Sequence, residues 1–198
     1  LHIGYEELVP VALEAYAEQG IEFDAGAVCA SVCAFIKGRL EQMARDEKID
    51  ADTVAAVSAG SVSAPVDYFA LAHALKDARD SDADTFDNLA TAYARASHLA
   101  DADLGVDVDA SLLGDAEREL LQASDAAQAA VDAAFSAKDF TAVIAALAGL
   151  RAPVDRFFDE VLVMDQDEAL RTNRLRLLNR FEAVFSDVAN IGELARKK

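Results

Sequence analysis

Apolar side chains recur along most of the chain at spacings of three and four residues, the period of an α-helix with one covered face. The segment Tyr5 to Glu18 sets Leu8, Val11, Ala12, Ala15 and Tyr16 on one stripe, with Pro10 inside its first turns and Gly20 at its end. Asp24 is placed to cap a longer helix reaching about Arg45, whose face of Val28, Val32, Phe35, Ile36 and Leu40 is expected to point into a core. A short helix starting at Asp50 or Asp52 carries Val54 and Val57 and closes at Gly60-Ser61-Val62-Ser63. Pro65 suits the first turn of the next, with Phe69, Leu71, Ala72 and Leu75, before the break at Asp80-Ser81-Asp82. Phe86, Leu89, Ala90, Tyr93 and Ser97 form the stripe of a helix ending near Ala100.

Residues 101–115 alternate acids with Leu, Gly and Val and read as a surface loop with one ordered turn at most. A helix from Ala116 to about Ser136 carries Leu120, Leu121, Ala127, Val131 and Phe135, and Lys138-Asp139 turns the chain. Phe140, Val143, Ile144, Leu147 and Leu150 make the next stripe. Pro153 then restarts or kinks the helix ahead of Val154, Phe157, Phe158 and Val161. A last long helix, from about Gln166 to Val188, holds Leu170, Leu177, Leu178, Phe181, Val184, Phe185 and Val188. The pattern predicts an all-α fold, a bundle of about seven to nine helices. It divides into sub-bundles at 1–100 and 116–198 joined by the acidic 101–115 loop.

Composition agrees: alanine is the commonest residue, and the 198-residue chain has only 3 Pro and no Trp. No apolar run reaches the roughly 18 to 20 residues that cross a bilayer, and the start lacks a signal peptide's basic and apolar regions. A cytoplasmic protein without membrane contact is expected. The first residue, Leu1, is not Met, which suggests a piece of a longer chain. Cys29 and Cys33 stand one turn apart, where a disulfide would crosslink nothing, and read as small core residues. Glycine-rich phosphate loops, HExxH and Gly-x-Ser-x-Gly are absent, and His2, His73 and His98 have no neighbouring ligand set. Neither catalytic residues nor a metal site are expected.

The net charge of −18 argues against a broad basic surface, yet it is unevenly spread. Residues 150–198 hold nine Lys or Arg against nine Asp or Glu, so the excess acid lies before them. This neutral segment runs Leu150-Arg151-Ala152-Pro153-Val154-Asp155-Arg156-Phe157-Phe158-Asp159-Glu160-Val161-Leu162-Val163-Met164 and continues through Ala169-Leu170-Arg171-Thr172-Asn173-Arg174-Leu175-Arg176-Leu177-Leu178. It closely resembles the C-terminal end of the β subunit of bacterial two-subunit glycyl-tRNA synthetases. A weaker likeness joins Tyr93-Ala94-Arg95-Ala96-Ser97-His98-Leu99 to a family stretch reading Asn-Lys-Arg-x-x-Asn-Ile, from which Ala94 and His98 depart.

The resemblance implies a helical anticodon-binding region of the kind shared with arginyl-tRNA synthetases. Its implied partners are tRNA(Gly) and the synthetase α subunit, or an α region of a fused chain, and not DNA. ATP and Mg would belong to the parent enzyme, with no cofactor in this fragment. Against it stands an alternative, a non-catalytic helical scaffold for subunit association.

With Leu170 at zero and about 100° per residue, Arg174 falls at about 40°, inside the apolar stripe of the last helix. A guanidinium there needs a carboxylate, and Asp155 or Asp159 on the preceding helix is the expected partner. Arg171 lies at the stripe's border, and Arg176 and Arg180 lie outside it. Together with Arg95, Arg151, Arg156, Arg196, Lys197 and Lys198 they are the candidate RNA contacts. The competing reading pairs them as ordinary surface charges with Glu168, Glu182 and Asp187.

Overall fold

The computed structural model describes residues 2–195. Among them nine α-helices and three short 3-10 turns follow one another without a strand. The helices are α1 (Tyr5–Glu18), α2 (Ala25–Asp46), α3 (Ala51–Ser58), α4 (Pro65–Ser81), α5 (Ala83–Leu99), α6 (Asp115–Ala137), α7 (Phe140–Ala148), α8 (Arg151–Glu160) and α9 (Glu168–Ala183). No helix among the described residues is long and apolar enough to cross a membrane.

Many starts are fixed by acidic caps that accept otherwise unpaired N–H groups. Asp24 accepts from Ala27, Asp82 from Thr85, Asp139 from Ala142, and Asp167 from both Ala169 and Leu170. Part of the chain's acid excess is therefore consumed in ending loops. Between α6 and α7, Lys138 takes the left-handed conformation, with φ of 59°.

α9 is the axis of the bundle. Asn173, Leu175, Leu177, Leu178, Asn179 and Phe181 are all buried and together cover about two thirds of its circumference. It packs against α5 and α6, and buried side chains on both sides of the 101–115 segment join in one core. That segment contains two 3-10 turns, at Ala102–Leu104 and Ala110–Leu112. It lies along α9, held by amides of the helix. Asn173 receives the Asp109 N–H at 2.7 Å and donates to the Asp109 carbonyl at 3.0 Å. The Asn179 amide donates to the carbonyls of Asp101 and Gly105.

The last helix ends at Ala183 rather than Val188. Three successive i to i−3 bonds, from the N–H groups of Val184, Phe185 and Ser186, tighten the chain there. The turn lets Phe185, Val188, Ala189 and Ile191 all stay buried as the chain comes back over α3 and α5. Gly60 makes this return possible, because a Cβ at that position would lie 2.4 Å from the Val188 carbonyl oxygen. Ser61 then donates through both its N–H and its hydroxyl to the Asp187 carbonyl, and Asn190 donates its N–H to Ala56.

The first two helices depart from expectation in which face they bury. In α1 the buried residues are Tyr5 and Val9, while Leu8, Val11 and Tyr16 are 47%, 63% and 52% exposed. In α2 only Leu40 and Ala44 are buried, and Phe35 is 70% exposed. The stripes exist as read, but these helices meet chiefly each other, and nothing among the described residues covers their outer apolar sides. Cys29 and Cys33 are half-buried free thiols; Cys33 packs against the core from its edge, as a small apolar residue, and Cys29 lies outside it.

Two outcomes follow from this arrangement. Leu177→Ala, at the fully buried axis, is expected to cost about 2–5 kcal/mol in urea unfolding, whereas Phe35→Ser should stay within about 0.5 kcal/mol. A comparable loss at both positions would contradict the burial pattern.

The second concerns Asp67 in α4, whose side chain is 4% exposed between His2 and Lys138. Burial opposes its ionisation, but hydrogen bonds from Lys138 and His2 prevail and hold the carboxyl below the usual range. Its stabilising effect is therefore present at neutral pH and lost as the pH falls through the folded value, below about 4. Acid unfolding followed by circular dichroism should be steeper in this range for the parent chain than for Asp67→Asn.

Candidate nucleic-acid interface

Arg174 lies inward, as its helical angle requires, with 13% of its side chain exposed. Its partners are not the expected ones. The guanidinium donates to Glu117 of α6 at 2.6 Å, to Asp165 at 2.7 Å and to the Leu162 carbonyl at 3.0 Å. Asp155 instead faces Arg151 one turn earlier in α8, at 3.5 Å, and Asp159 is exposed. Glu117, itself 5% exposed, uses its other oxygen to accept the Gly114 N–H that begins α6. One carboxylate thus caps a helix and neutralises a buried cation. Burial works against the charge of Arg174, and the hydrogen bonds from it to Glu117 and Asp165 outweigh that and push its pKa up.

The remaining candidate arginines do not converge on one patch. Arg156 pairs with Glu160 and with Glu119 of α6, and Arg180 pairs with Asp125 of α6. Glu119 and Asp125 are six positions apart, about 240° around the helix, so these two pairs lie on different sides of α6. Arg151 is spanned between Asp155 and Thr85. Arg176 donates to the carbonyls of Leu104 and Asp107, and Arg171 donates to that of Asp165. Arg95 of α5 lies over the Phe158 ring, 4.2 Å from its centroid, a cation–π contact that leaves the side chain in solvent. Among the described residues Arg95, Arg171 and Arg176 have no carboxylate partner. Arg196, Lys197 and Lys198 lie outside the described residues.

Glu182, expected as a surface partner for arginine, accepts instead from the Ser97 hydroxyl. Burial pushes its carboxyl up, offset in part by that bond. Ser97 stands between two adjoining hollows. The first, of about 370 Å³, lies between α5 and the C-terminal 3-10 turn (Ile191–Ala195) and is lined by Tyr93, Ala94, Ser97, His98 and Asn190 among others. The second, of about 430 Å³, includes Asn179, Glu182 and Val106. Tyr93 is fixed by edge contact with Phe185 at 5.1 Å and by the close passage of Gly192, where a Cβ would lie 3.3 Å from its ring. Sequence reasoning gave no role to Asn173, which stands in the family-like stretch, or to Asn179. Two amides in the interior of a leucine-rich helix were the available signal, since a buried amide needs partners from outside its own helix.

Against known proteins, the family model described as the DALR anticodon binding domain matches residues 89–191. The chain belongs to the DALR anticodon-binding domain family. It is also similar to glycine–tRNA ligase β subunits along nearly its whole length. Identity is 35% over 197 residues with that of Acinetobacter baylyi, covering 98% of this chain and 28% of the relative. With that of Aliivibrio fischeri it is 34% over 194 residues, covering 96% and 28%. The chain therefore spans under a third of the length of these relatives. The likeness extends over the first 149 residues, where the family-like motifs are only scattered anchors.

The DALR region begins inside α5 and ends at Ile191, so it contains Arg95, the second hollow and part of the first, the loop held by α9, and the Arg174–Glu117 pair. That pair ties the domain's central helix to α6. Arg174→Ala leaves a buried carboxylate without its cation and should lower unfolding free energy by about 3–5 kcal/mol, measured by urea titration at pH 7. Arg174→Lys, which keeps the charge but not the guanidinium fork, should recover only part of it. A loss below about 1 kcal/mol in Arg174→Ala would mark the pair as a solvent-screened one.

Proposed function

We propose that this chain binds transfer RNA as the anticodon-binding part of a glycine–tRNA ligase β subunit, holding tRNA(Gly) while the α subunit or region joins glycine to it. The match of the anticodon-binding family across residues 89–191 carries this reading. The similarity to β subunits supports the choice of glycine. In this role the chain raises affinity and sets register, and ATP and Mg serve the chemistry elsewhere in a cytoplasmic enzyme.

The charge pattern refines how RNA is held. With a net charge of −18 there is no general attraction to phosphate, so contact depends on arginines whose charge is not already neutralised. Arg95 and Arg171 meet that condition with their guanidinium groups otherwise engaged only by a ring and a carbonyl. Arg176 meets it as well, but its bonds hold the 101–109 segment. Arg151, Arg156 and Arg180 are already paired with carboxylates, so their phosphate contacts would require those pairs to open.

Titration of the chain with tRNA(Gly) at low and moderate salt tests this. Binding should weaken as salt rises, and Arg95→Ala with Arg171→Ala should weaken it about tenfold and reduce the salt slope by one to two. Absence of any tRNA binding at low salt would reject the reading. A second reading, association with another subunit, is favoured by the uncovered side chains Leu8, Val11, Val32 and Phe35 of α1 and α2. Affinity for the α subunit that Phe35→Ser removes, without tRNA binding, would select it.

A further inference from the structure

We propose that the outer side of the α1–α2 hairpin is covered, in the parent protein, by an apolar helical surface of the same polypeptide that sets a carboxylate against Arg39. The proposal rests on the reading of this chain as part of a longer β subunit and adds where the remainder packs.

Helical spacing defines the face. Counted from the buried Val9, the α1 positions Val11, Leu8 and Ala12 fall at about 200°, 260° and 300°, and all three are exposed. Counted from the buried Leu40, the α2 positions Phe35, Val32 and Met43 fall at about 220°, 280° and 300°, and they too are exposed. The short link at 19–24 and the packing of α1 on α2 make the two helices antiparallel neighbours. In antiparallel helices whose buried sides meet, rotations of the same sense bring both arcs out on one side. The result is one apolar surface, about 22 Å long from Val28 to Met43 at about 1.5 Å per residue.

Arg39 falls at about 260° on α2, in the middle of that surface, between Phe35 and Val32. It is exposed, and among the described residues no hydrogen bond or ion pair engages it. A guanidinium inside an apolar face calls for a carboxylate that stays with it once water is excluded. An RNA phosphate would meet the same cation but leave the apolar groups on either side of it uncovered. The footprint then selects among protein partners. Two helices about 10 Å apart present on the order of 400 Å² here, about half of what each partner contributes to a standard complex. Separate chains lose translational and rotational freedom on meeting, so the face is small for the α subunit or for a second copy. A net charge of −18 on each chain further opposes a second copy. A segment of the same polypeptide escapes that loss, because the connection holds it at high effective concentration. More than two thirds of each matched β subunit lies outside the likeness, which leaves ample chain for this role. The face also precedes residue 89 and so stands apart from the anticodon-binding family's region.

The test uses the complete parent chain together with its α subunit, carrying p-benzoylphenylalanine in place of Phe35 as a photocrosslinker, in equal parts of heavy-isotope-labelled and unlabelled protein. Mass spectrometry of the crosslinked peptides should join this position to peptides outside the 198-residue stretch, with both peptides of one isotope. Joining to the α subunit, to a peptide of the other isotope, to tRNA or to the 198-residue stretch itself overturns the proposal, as does the absence of any crosslink. Arg39→Glu should lower the intrachain yield about threefold or more, whereas Lys37→Glu, the same change of charge about 160° away around α2, should leave it unchanged. A full yield in Arg39→Glu, or equal losses in both variants, overturns the carboxylate contact. Binding of tRNA(Gly) by the same preparations reports the proposed function separately. Normal binding without the intrachain crosslink overturns this face alone, and the crosslink without binding overturns the tRNA-binding role alone.

Discussion

The molecule depends on one close approach: the carbonyl of Val188 passes so near Gly60 that no larger residue fits there. Because the chain can turn back at this point, Phe185, Val188, Ala189 and Ile191 all reach the interior instead of trailing into solvent. Burial of aromatic and aliphatic side chains on this scale is a dominant favourable term in a helical domain. The same return lays the last 3-10 turn along α5 and leaves an open hollow beside Tyr93. Core closure and the forming of that hollow are one event here.

Around that closure the charges are arranged economically. Glu117 caps α6 and pairs with Arg174, Asp167 caps α9 with two bonds, and Asp125, Asp155 and Glu160 each engage an arginine. Exposed pairs of this type add little stability individually. Their effect is rather to neutralise most of the described arginines in the C-terminal half; among the described residues Arg118, Arg171 and Arg176 there, and Arg95 of α5, have no carboxylate partner. A surface that looks balanced in sequence is therefore, in three dimensions, mostly self-paired.

Helical periodicity made the class and nearly every element legible, since Asp, Gly and Pro mark the ends physically. It could not tell whether anything covers an apolar stripe. For α1 the stripe of Leu8, Val11 and Tyr16 faces outward, and the covered side is Tyr5 and Val9. The inward placement of Arg174 was readable from its angle alone. Its partner was not, because Glu117 lies 57 positions away on α6 and only tertiary packing brings it near. Likewise Tyr93, Ser97 and His98 are visible as one side of a helix, but the hollow needs the Val184–Asn190 turn, which a continuous 3.6-residue pattern through Val188 conceals. The bonds of Asn173 and Asn179 to the 101–109 segment were not readable, since amides carry no periodic signal and their partners lie more than 60 positions away.

The acid excess then takes on a positive sense. On a surface of net charge −18, phosphate gains little from merely arriving, and a long-range field would favour nothing in an RNA chain. In the tRNA-binding role proposed above, affinity would come from short contacts, such as those of the guanidinium groups that no carboxylate neutralises. Each of these needs the ligand in a particular geometry, whereas a broad basic face would hold any RNA. An acidic exterior thus trades general attraction for discrimination, and replacing surface carboxylates by lysine should raise affinity for unrelated RNA faster than for the proposed tRNA.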